Sequence, residues 1–494
     1  MRFRKVLVAN RGEIALRVIR TCRELGIATA TVYSDIDRLS PHVRAADEAY
    51  PIGAASPRES YLNIERIIAV AKRAGCDAIH PGYGFLSENA DFADAVAAAG
   101  IAFVGPPGTV QRALGEKTSA RRLAAAAGVP VAEGTMEPLR DEADARTVLE
   151  RVGYPVLLKP AGGGGGKGMR IVRSAAELPA AWRAATGEAT TAFGAPALLM
   201  ERLIEHARHV EVQLLADAHG TVVWLGERDC SIQRRHQKLI EETPGPSVDD
   251  ALRATLGAAA VTVASAAGYV NAGTVEFLVA PDGAFVFLEM NTRLQVEHPV
   301  TELVTGLDLV ALQLRVAAGE PLPFGQPEVR RSGAAIELRI TAEDPFAGFL
   351  PQAGRVDFVR DPSGPGIRLD SGLAVPLTIP TEYDPLLAKL IAWGPDRPAA
   401  IARARRAARE MIVAGLPTSL PFHSFVLAEP DFVAGRYDTD YVARHWDHPR
   451  TPEITEGAAL ATALAGLARL RAGPRPFVGD TTPWSRSARE DMLR

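Results

Sequence analysis

The sequence predicts an α/β protein whose C-terminal part changes to an α+β arrangement. Near the N-terminus, the apolar runs Lys5–Ala9 and Ala28–Tyr33 flank an amphipathic helix, Gly12–Leu25. A strand, a helix and a strand in this order form a βαβ unit, which implies a parallel sheet. From about residue 331 the chain turns to short strands such as Ala334–Ile340, followed by the arginine-rich helix Ala399–Val413. The two patterns indicate separate N-terminal and C-terminal folding units.

Length and composition describe an ordinary globular enzyme. The chain has 494 residues, of which 47% are hydrophobic and 23% charged, and a formal net charge of −4. Such a length allows about three domains, and the charge balance predicts no nucleic-acid partner. No apolar run is long enough for a membrane span. Three scattered cysteines and an N-terminus without a secretory leader favour a reducing compartment, so we expect a cytoplasmic protein.

Lysine is scarce in this chain. Of 55 basic residues, seven are lysine, at positions 5, 72, 117, 159, 167, 238 and 389, and the other 48 are arginine. Where arginine carries nearly all the positive charge, a lysine can mark a place that needs a compact point charge, such as a phosphate contact. Chance is the alternative explanation for so few residues.

The first domain is predicted to cover residues 1–115 as a doubly wound parallel sheet. The strands Ala78–Ile79 and Ala102–Val104 continue the pattern of the first βαβ unit. Between them lies Pro81–Asn89, a turn-rich loop at the carboxyl end of a strand, where ligands of open α/β sheets bind. The turn Ala9–Glu13 has one glycine where a dinucleotide-binding fingerprint needs three. A nicotinamide cofactor is therefore not expected.

A run of glycines joins two predicted strands of a second module. Val156–Pro160 and Arg170–Arg173 are the strands, and Gly162–Gly166 lies between them with Lys159 and Lys167 close on either side. Five consecutive glycines have a large entropic cost, which is tolerable if bare amides must approach a polyphosphate and the loop must move. The alternative is a flexible hairpin tip without a ligand. No Gly-Lys-Ser/Thr sequence opens a helix here, so this is not a Walker-type loop.

Two neighbouring strands carry side chains suited to a metal ion. The predicted strand Phe285–Leu288 is followed at once by Glu289 and Asn291, and the preceding strand, Gly273–Val279, carries Glu276. Side chains two residues apart in an extended chain share one face. Carboxylate and amide oxygens are hard ligands, which suit Mg²⁺ bridging phosphate oxygens better than zinc. The alternative is a set of solvated residues at strand ends.

Two nearby groups of polar residues predict binding and deprotonation of a small oxyanion. Arg293, Gln295 and Glu297 directly follow the proposed metal ligands. A guanidinium, an amide and a carboxylate beside a metal–phosphate can bind such an anion and take a proton from it. The segment Gln233–Lys238 holds three formal cations and a histidine within six residues, which also indicates an anion site. A surface ion pair and a solvated charged face are the alternatives.

Taken together, these motifs resemble the biotin carboxylase family, the ATP-grasp component of acyl-CoA carboxylases. The resemblance extends over residues 1–446. The motifs that carry it follow one another in the family's order: Ala9–Ala15, Pro81–Asn89, the glycine loop, Arg234–Lys238 and Glu289–Thr301. Departures from the family pattern are small, with Lys167 where arginine is common, Glu116 where aspartate is common and Ser419 where Thr-Asn is usual.

The resemblance implies an ATP-grasp fold between two other domains. Residues 1–115 would form a Rossmann-like (pre-ATP-grasp) domain and residues 116–330 the ATP-grasp domain, with a mobile lid over about residues 131–204. Residues 331–446 would form the C-terminal α+β domain. Residues 447–494 remain as a tail that is a possible docking element for a partner.

The resemblance also implies an ATP-dependent C–N ligase that works in two steps. MgATP phosphorylates bicarbonate to carboxyphosphate, which breaks down to CO₂ and phosphate, and the N1′ nitrogen of biotin captures the CO₂. This is the first half-reaction of an acyl-CoA carboxylase, with acetyl-CoA carboxylase as the expected complex. Alternatives are the biotin-carboxylating subunit of a pyruvate carboxylase, another ATP-grasp ligase with a different acceptor, such as one that forms carbamoyl phosphate, and a catalytically silent scaffold that binds a carrier protein.

The family's functional positions carry over residue by residue where the motifs match. ATP would contact Lys117, Lys159, Gly164, Gly165, Gly166, Lys167, Gly168, Met169, Glu201, Arg202, Ile204, His209, Gln233, His236, Leu278, Glu276 and Glu289. Mg²⁺ (or Mn²⁺) would be bound by Glu276, Glu289 and Asn291. Bicarbonate would be bound by Lys238, Arg293, Gln295, Val296 and Glu297. The catalytic residues implied are Lys238, Arg293, Glu297 as the base, and Arg339, which would stabilise the biotin enolate.

The partners implied are other protein chains. The tail contains no Ala-Met-Lys-Met biotin attachment motif, so biotin is expected on a separate biotin carboxyl carrier protein. Carboxyltransferase subunits would complete the reaction, and a homodimer is usual in the family. Trp484 and Arg486 weakly resemble the segment that follows this domain in larger acyl-CoA carboxylase subunits, where it meets partner subunits.

Overall fold

The computed structural model describes residues 3–161, 168–193 and 197–446. Up to Gly115, strands and helices alternate: β1 (Lys5–Val8), α1 (Gly12–Glu24), β2 (Ala28–Ser34), α2 (Pro41–Ala45), β3 (Glu48–Gly53), α3 (Ile64–Arg73), β4 (Ala78–His80), α4 (Ala90–Ala98), β5 (Ala102–Phe103) and α5 (Gly108–Gly115). The five strands form one sheet in the order β3-β2-β1-β4-β5. Every neighbouring pair is parallel, which confirms the sheet type predicted from the first βαβ unit.

The loop between β4 and α4 is held in place by the helix that follows it. Asn89 is the N-cap residue of α4, and its side chain accepts a hydrogen bond from the backbone N–H of Phe92. A side-chain cap of this kind typically contributes about 1 kcal/mol to helix stability. Phe92 is itself fully buried in the core of the sheet. The cap therefore sets where the predicted ligand-binding loop Pro81–Asn89 ends, and with it the position of Glu88.

A small module follows, with elements α6 (Lys117–Ala126), α7 (Glu142–Val152), β6 (Val156–Pro160), β7 (Arg170–Val172), α8 (Leu178–Phe193) and β8 (Leu198–Arg202). Its strands form an antiparallel sheet in the order β7-β6-β8. Leu149, Leu158 and Met200 belong to a separate hydrophobic cluster within this module. The module thus has a core of its own.

The next part of the chain contributes β9 (Arg208–Ala216), β10 (Val222–Arg234), β11 (Gln237–Thr243), α9 (Asp250–Ala266), β12 (Asn271–Val279), β13 (Phe285–Asn291), α10 (His298–Thr305) and α11 (Leu309–Ala317). The remaining elements are β14 (Ala334–Thr341), β15 (Glu343–Asp344), β16 (Leu350–Pro351), β17 (Gly354–Val356), β18 (Phe358–Arg360), β19 (Ile367–Ser371), β20 (Leu377–Ile379), β21 (Leu386–Gly394), α12 (Arg397–Glu410), β22 (Ile412–Ala414), α13 (Leu420–Ala428), α14 (Pro430–Val433) and α15 (Tyr441–His445).

One antiparallel sheet crosses the predicted boundary at residue 330. Its eight strands lie in the order β13-β12-β9-β10-β11-β14-β21-β19. The pairing of β11 with β14 is continuous from Ile240, opposite Leu338, to Thr243, opposite Ala335. The C-terminal segment therefore has no separate main sheet, because its longest strands extend the sheet that begins in the preceding segment.

The predicted helix Ala399–Val413 is wrong at its C-terminal end. Helix α12 ends at Glu410, and Met411 has an extended backbone conformation. Val413 lies instead in β22, where it pairs with Val359 of β18. Pairing with a strand that lies some fifty residues earlier has overridden the local helical pattern.

Helices pack against the eight-stranded sheet through apolar side chains. Ile240, Leu338 and Leu390 belong to the hydrophobic cluster that also contains residues of α12 and α13. Helix α10 packs against β10, β11, β14 and β21, where Val300 and Val304 meet apolar residues of the sheet.

None of the helices in the described part of the chain combines the length and the apolar character that crossing a membrane requires.

We expect Leu338→Ala to destabilise the folded chain by about 2–5 kcal/mol, because it removes a fully buried side chain and leaves a cavity where the two halves of the sheet join. Chemical denaturation followed by circular dichroism would measure the change. Leu350→Ala is the matched control, since Leu350 is 60% exposed, and should change the stability by less than about 0.5 kcal/mol. Equal effects of the two substitutions would contradict the proposed core.

Candidate active site

Lys238 on β11 lies among three carboxylates. Its Nζ donates to Oε2 of Glu211 at 2.5 Å, Oε1 of Glu276 at 2.9 Å and Oε1 of Glu297 at 2.6 Å. These acceptors come from β9, β12 and the residue before α10. Burial by itself would lower the pKa of Lys238, but the three carboxylates outweigh it and hold the pKa well above its ordinary value. The ammonium is therefore charged over the whole physiological pH range.

Glu297 is held ionised between two cations. It is the N-cap residue of α10, but its side chain does not cap the helix. Its Oε1 accepts from Lys238 at 2.6 Å and its Oε2 accepts from Nη2 of Arg339 at 2.8 Å. Burial would raise the pKa of Glu297, but Lys238, Arg339 and Arg228 outweigh it and hold the pKa well below its ordinary value. At neutral pH this carboxylate is unprotonated, as a general base must be.

Arg339 is fixed by a second carboxylate. Its Nε donates to Oε1 of Glu241 at 2.5 Å, across the pairing of β14 with β11. Burial raises the pKa of Glu241 to about 7, although Arg339 acts in the opposite direction. The side chain of Arg339 keeps 17% of its surface exposed. Arg339 thus lies between Glu241 and Glu297.

The three predicted metal ligands lie together. Glu276 and Glu289 are directly opposite each other in the pairing of β12 with β13, so their side chains share one face. Asn291 donates through Nδ2 to Oε1 of Glu276 at 2.8 Å. Burial raises the pKa of Glu289, and the neighbouring carboxylate of Glu276 adds to this effect. The two carboxylates are hard-oxygen donors that could hold Mg²⁺, whose charge would relieve the repulsion between them. Asn291 would supply a third oxygen once its amide turns, because here its NH₂ group faces Glu276 and its oxygen accepts from Arg293.

The residues predicted to bind an oxyanion occupy the loop between β13 and α10. Arg293 donates through Nε to Oε2 of Glu88 at 2.8 Å and through Nη2 to Oδ1 of Asn291 at 2.9 Å. Gln295 donates through Nε2 to Oε1 of Glu276 at 2.7 Å. The carbonyl oxygen of Val296 accepts from Nζ of Lys389 at 2.9 Å. This loop therefore lies beside the metal ligands and ends at Glu297.

The residues predicted to contact the nucleotide phosphates lie on the small three-stranded module and at the start of α6. Lys159 on β6 pairs with Glu201 on β8, and Glu201 also accepts from Arg121. Burial lowers the pKa of Lys159 more than Glu201 raises it. The positive charge of Lys117 acts on Lys159 and also on Glu289, so these groups lie near one another. The carboxylate of Glu201 is therefore engaged by two cations, and its backbone lies between Leu157 of β6 and Gly134.

The segment predicted as an anion site forms a tight hairpin between β10 and β11. Gln233, at the end of β10, is buried and pairs with Lys238. The two residues at the turn, Arg235 and His236, have φ angles of +50° and +66°. Asparagine and glycine are the usual residues for such a turn, and other residues are strained there. His236 at this turn is exposed at its surface. Partial desolvation of its ring, with smaller contributions from the charges of His209 and Lys117, lowers its pKa.

His209 and the other predicted nucleotide contacts are spread around the same region. The Nε2 atom of His209 lies 2.8 Å from Oε2 of Glu276. Leu278 follows Glu276 by two residues on β12, Arg202 ends β8, and Ile204 lies in the connection from β8 to β9. Gly168 and Met169 immediately precede β7. Four predicted contacts lie outside the described residues: Gly164, Gly165, Gly166 and Lys167.

Five residues that the sequence analysis did not single out also form this site: Glu88, Glu211, Arg228, Glu241 and Lys389. Glu88 orients Arg293, Glu211 shares Lys238, and Glu241 fixes Arg339. Arg228 and Lys389 are fully buried cations that hold the loop before α10. Within a buried strand such as β10, an arginine needs a nearby partner. A charged residue in an otherwise buried strand was the available signal for Arg228 and Glu211.

The arrangement joins three capabilities in one place. It offers oxygen ligands for a divalent cation, a lysine, Lys117, whose charge acts on Glu289, and an ionised glutamate beside two cations that can attract a small anion. Together they can transfer a phosphoryl group to an oxyanion whose proton a carboxylate removes.

Three family models match the chain in succession. Residues 2–110 match the biotin carboxylase N-terminal domain, residues 116–324 match the ATP-binding domain of the carbamoyl-phosphate synthase L chain, and residues 337–444 match the biotin carboxylase C-terminal domain. The middle model is shared with other ligases, whereas the two outer models name this family.

Individual relatives agree with the family models. A biotin carboxylase from Nostoc sp. is 50% identical over 442 residues, which cover 90% of this chain and 99% of the relative. A pyruvate carboxylase subunit from Methanothermobacter thermautotrophicus is 49% identical over 440 residues, which cover 89% of each chain.

A solved structure shows the same architecture. The biotin carboxylase domain dimer of 2-oxoglutarate carboxylase from Hydrogenobacter thermophilus, in complex with MgADP, ADP and bicarbonate, superimposes with a TM-score of 0.89 and 45% sequence identity. The match covers 92% of this chain and all of that one. The predicted ATP-grasp fold, with its Rossmann-like N-terminal part and its α+β C-terminal part, is thereby confirmed. The chain belongs to the biotin carboxylase family of ATP-dependent ligases.

Proposed function

We propose that this chain uses MgATP and bicarbonate to carboxylate biotin carried by a separate protein, with Glu297 as the base. The observation that carries the proposal is the position of Glu297, ionised between Lys238 and Arg339. Both cations are close enough to Glu297 to attract bicarbonate to it. The Glu297 carboxylate would then take the proton of the bound bicarbonate. The paired carboxylates Glu276 and Glu289 lie on the neighbouring strands.

Deprotonation of bicarbonate is the step that Glu297 would perform. Bicarbonate is a poor nucleophile until its remaining proton leaves, so a carboxylate must lie within hydrogen-bond reach of that proton. An anion that enters the site would share Lys238 and Arg339 with Glu297. When the anion binds to Lys238 and Arg339, these cations stabilise the ionised form of Glu297 less, and the pKa of Glu297 rises. Glu297 therefore becomes a stronger base when its substrate is bound. The carbonate oxygen would then attack the γ-phosphorus of ATP, which releases ADP and forms carboxyphosphate.

The remaining predicted residues have roles that follow from their charge and position. Arg293, Gln295 and the Val296 amide would bind bicarbonate, with Glu88 orienting Arg293. After carboxyphosphate breaks down, Arg339 would stabilise the negative charge on the ureido oxygen of biotin. A guanidinium can do so because it stays charged at all relevant pH values.

Lys117, Lys159 and the glycine loop would bind the phosphates of ATP, and the hinge formed by Glu201, Arg202 and Ile204 would bind adenine. Glu276, Glu289 and Asn291 would hold Mg²⁺, which when bound neutralises charge on the transferred phosphoryl group. Residues 131–204 would act as the lid, a role that the separate core of this module supports. Domain boundaries at residues 115 and 330 belong to the same proposal.

The identity of the final acceptor divides two versions of this function. In the first, the chain serves an acyl-CoA carboxylase, with acetyl-CoA as the expected acceptor, and in the second it is the biotin-carboxylating subunit of a pyruvate carboxylase. Relatives support both versions, because one is named as the alpha chain of a propionyl-CoA carboxylase and another as a subunit of a pyruvate carboxylase. A carbamoyl-phosphate-forming ligase is a third version, supported only by the middle family model.

The proposed partners are a biotin carboxyl carrier protein and carboxyltransferase subunits, and the chain would act as a homodimer in the cytoplasm. The related biotin carboxylase domain of 2-oxoglutarate carboxylase is a dimer, which supports the proposed oligomeric state. Residues 447–494 lie outside the described residues and are proposed as a docking element for these partners.

Glu297→Gln should lower bicarbonate-dependent ATP cleavage, measured with free biotin, by about 10²–10³-fold, because the amide cannot accept the proton. Binding of MgATP should be unchanged in a fluorescence titration, since Glu297 is not a proposed nucleotide contact. Glu320→Gln serves as the control, because Glu320 pairs only with Arg315 on the surface among the described contacts. Full activity of the Glu297→Gln protein would refute the proposed base.

Glu289→Gln should raise the Mg²⁺ concentration needed for half-maximal ATP cleavage by at least about tenfold, because it removes one charged oxygen ligand. In the wild-type protein this concentration should rise as the pH is lowered. Burial and the carboxylate of Glu276 raise the pKa of Glu289, so protons compete with the metal for this carboxylate at a higher pH than they do for an ordinary glutamate. Titrations of MgCl₂ at fixed ATP and several pH values would measure both effects. Identical Mg²⁺ dependence in the variant would exclude Glu289 as a ligand.

Free biotin should stimulate the bicarbonate-dependent ATP cleavage, whereas ammonia should not replace biotin. The physical reason is that Arg339 offers a guanidinium suited to an enolate oxygen, which ammonia lacks. Release of phosphate and formation of carbamoyl phosphate would be measured in parallel. Carbamoyl phosphate as the main product would support the third version instead. Purification with the biotinylated partner, followed by assays with acetyl-CoA, propionyl-CoA and pyruvate, would distinguish the acyl-CoA carboxylase version from the pyruvate carboxylase version.

A further inference from the structure

We infer that Arg228 is a positioning residue that orients the side-chain amide of Gln295, so that its NH₂ group faces the pocket for bicarbonate. The inference rests on the proposed function, which makes Gln295 a bicarbonate contact. Arg228 lies on β10, is fully buried and belongs to none of the sequence motifs that predicted the site.

All three nitrogen atoms of the guanidinium group are engaged. Nε of Arg228 donates to Oε1 of Glu211 at 2.5 Å, and Nη2 donates to Oε1 of Gln295 at 2.6 Å. Three longer bonds go to Oε1 of Gln213, Oγ1 of Thr301 and Oγ1 of Thr274, at 2.7, 3.0 and 3.2 Å. The partners come from β9, β12, α10 and the loop before α10. Arg228 therefore connects the strands of the sheet to the loop that carries the proposed anion contacts.

The chemistry of arginine determines which way the Gln295 amide faces. A guanidinium group can only donate hydrogen bonds, so the atom of Gln295 that meets Arg228 must be the carbonyl oxygen. The NH₂ group then points the other way, where it donates to Oε1 of Glu276 at 2.7 Å. A carbonyl oxygen in that place would repel both Glu276 and an incoming oxyanion. Fixed by Arg228, the amide presents donors to the pocket.

Gln213 shows the same effect of Arg228 on a second amide. The Oε1 atom of Gln213 accepts from Arg228, while its Nε2 donates to the carbonyl oxygens of Leu214 and Gly273 at 3.1 and 3.0 Å. The two backbone carbonyl oxygens would require this orientation of the Gln213 amide even without Arg228. Gln295 has no such backbone acceptors among its described contacts, so its orientation depends on two side chains, Arg228 at its oxygen and Glu276 at its NH₂ group.

A double-mutant cycle tests the inference. Arg228→Lys keeps a positive charge for Glu211 but lacks the planar fork, so the amide of Gln295 loses its fixed orientation. The KM for bicarbonate should rise by about tenfold, while the KM for MgATP stays within about twofold of wild type. In a Gln295→Ala background, Arg228→Lys should raise the KM for bicarbonate by less than about twofold further, because the residue through which it acts is gone.

Equal effects of Arg228→Lys in both backgrounds would overturn the inference, since they would mean that Arg228 acts independently of Gln295. An unchanged KM for bicarbonate in Gln295→Ala would also overturn it. A wild-type protein without bicarbonate-dependent ATP cleavage would instead overturn the proposed function itself, so the two failures can be told apart. Arg253→Lys is the matched control: Arg253 is buried on α9 and pairs with Glu227. It should leave both KM values unchanged.

If Arg228→Lys does not fold, a crystal structure of the wild-type protein soaked with bicarbonate decides the question. The anion should lie within hydrogen-bond distance of the Gln295 amide atom that does not contact Arg228. An anion bonded to the amide atom that contacts Arg228, or a separation of Arg228 from Gln295 by more than about 4 Å, would overturn the inference.

Discussion

The ammonium group of Lys238 is shared by three buried carboxylates, and the rest of the site depends on this sharing. Taking several like charges into a protein interior is costly unless opposite charges lie beside them, and removing one member of a buried pair typically costs about 3–5 kcal/mol. Glu211 and Glu276 lie opposite each other on the paired strands β9 and β12, Glu297 precedes α10, and all three carboxylates converge on Lys238. The ion cluster therefore joins two strands and the start of α10 around a single atom, and it places the proposed base next to a proposed metal ligand.

The continuous eight-stranded sheet is what brings Arg339 to this cluster. Because β11 pairs with β14, a residue after the proposed domain boundary at residue 330 can reach Glu241 and Glu297, which precede it. Separate sheets joined by a linker would leave the distance between Arg339 and Glu297 free to vary. A general base and an enolate-stabilising group must act on successive intermediates in one pocket, and positional errors of about 1 Å can cost about 10²-fold in rate. The shared sheet meets this requirement through backbone pairing.

Local patterns were sufficient for the parts of the site that are close in sequence. The two-residue period of extended chain placed Glu289 and Asn291 on one side, and the hairpin brought Glu276 opposite Glu289. Partners that are distant in sequence could not be predicted in this way. Glu88 and Arg293 lie 205 residues apart, and nothing in the local sequence of either indicates the other. For the same reason the helix predicted to reach Val413 was too long, because the strand that pairs with Val413 lies elsewhere in the chain.

The geometry of the acceptors explains why lysine stands at one position of the site and arginine at another. Lys238 serves three carboxylates that approach from different directions, and a compact ammonium with freely rotating donors suits such a place. Arg228 instead serves a fixed set of acceptors, for which a planar fork with five donors is the better match. Lys5 does not fit this division, because it forms an ion pair with Glu48 far from the site, on the first sheet. The choice between the two cations at the site thus follows the geometry of their acceptors, since both residues supply the same charge.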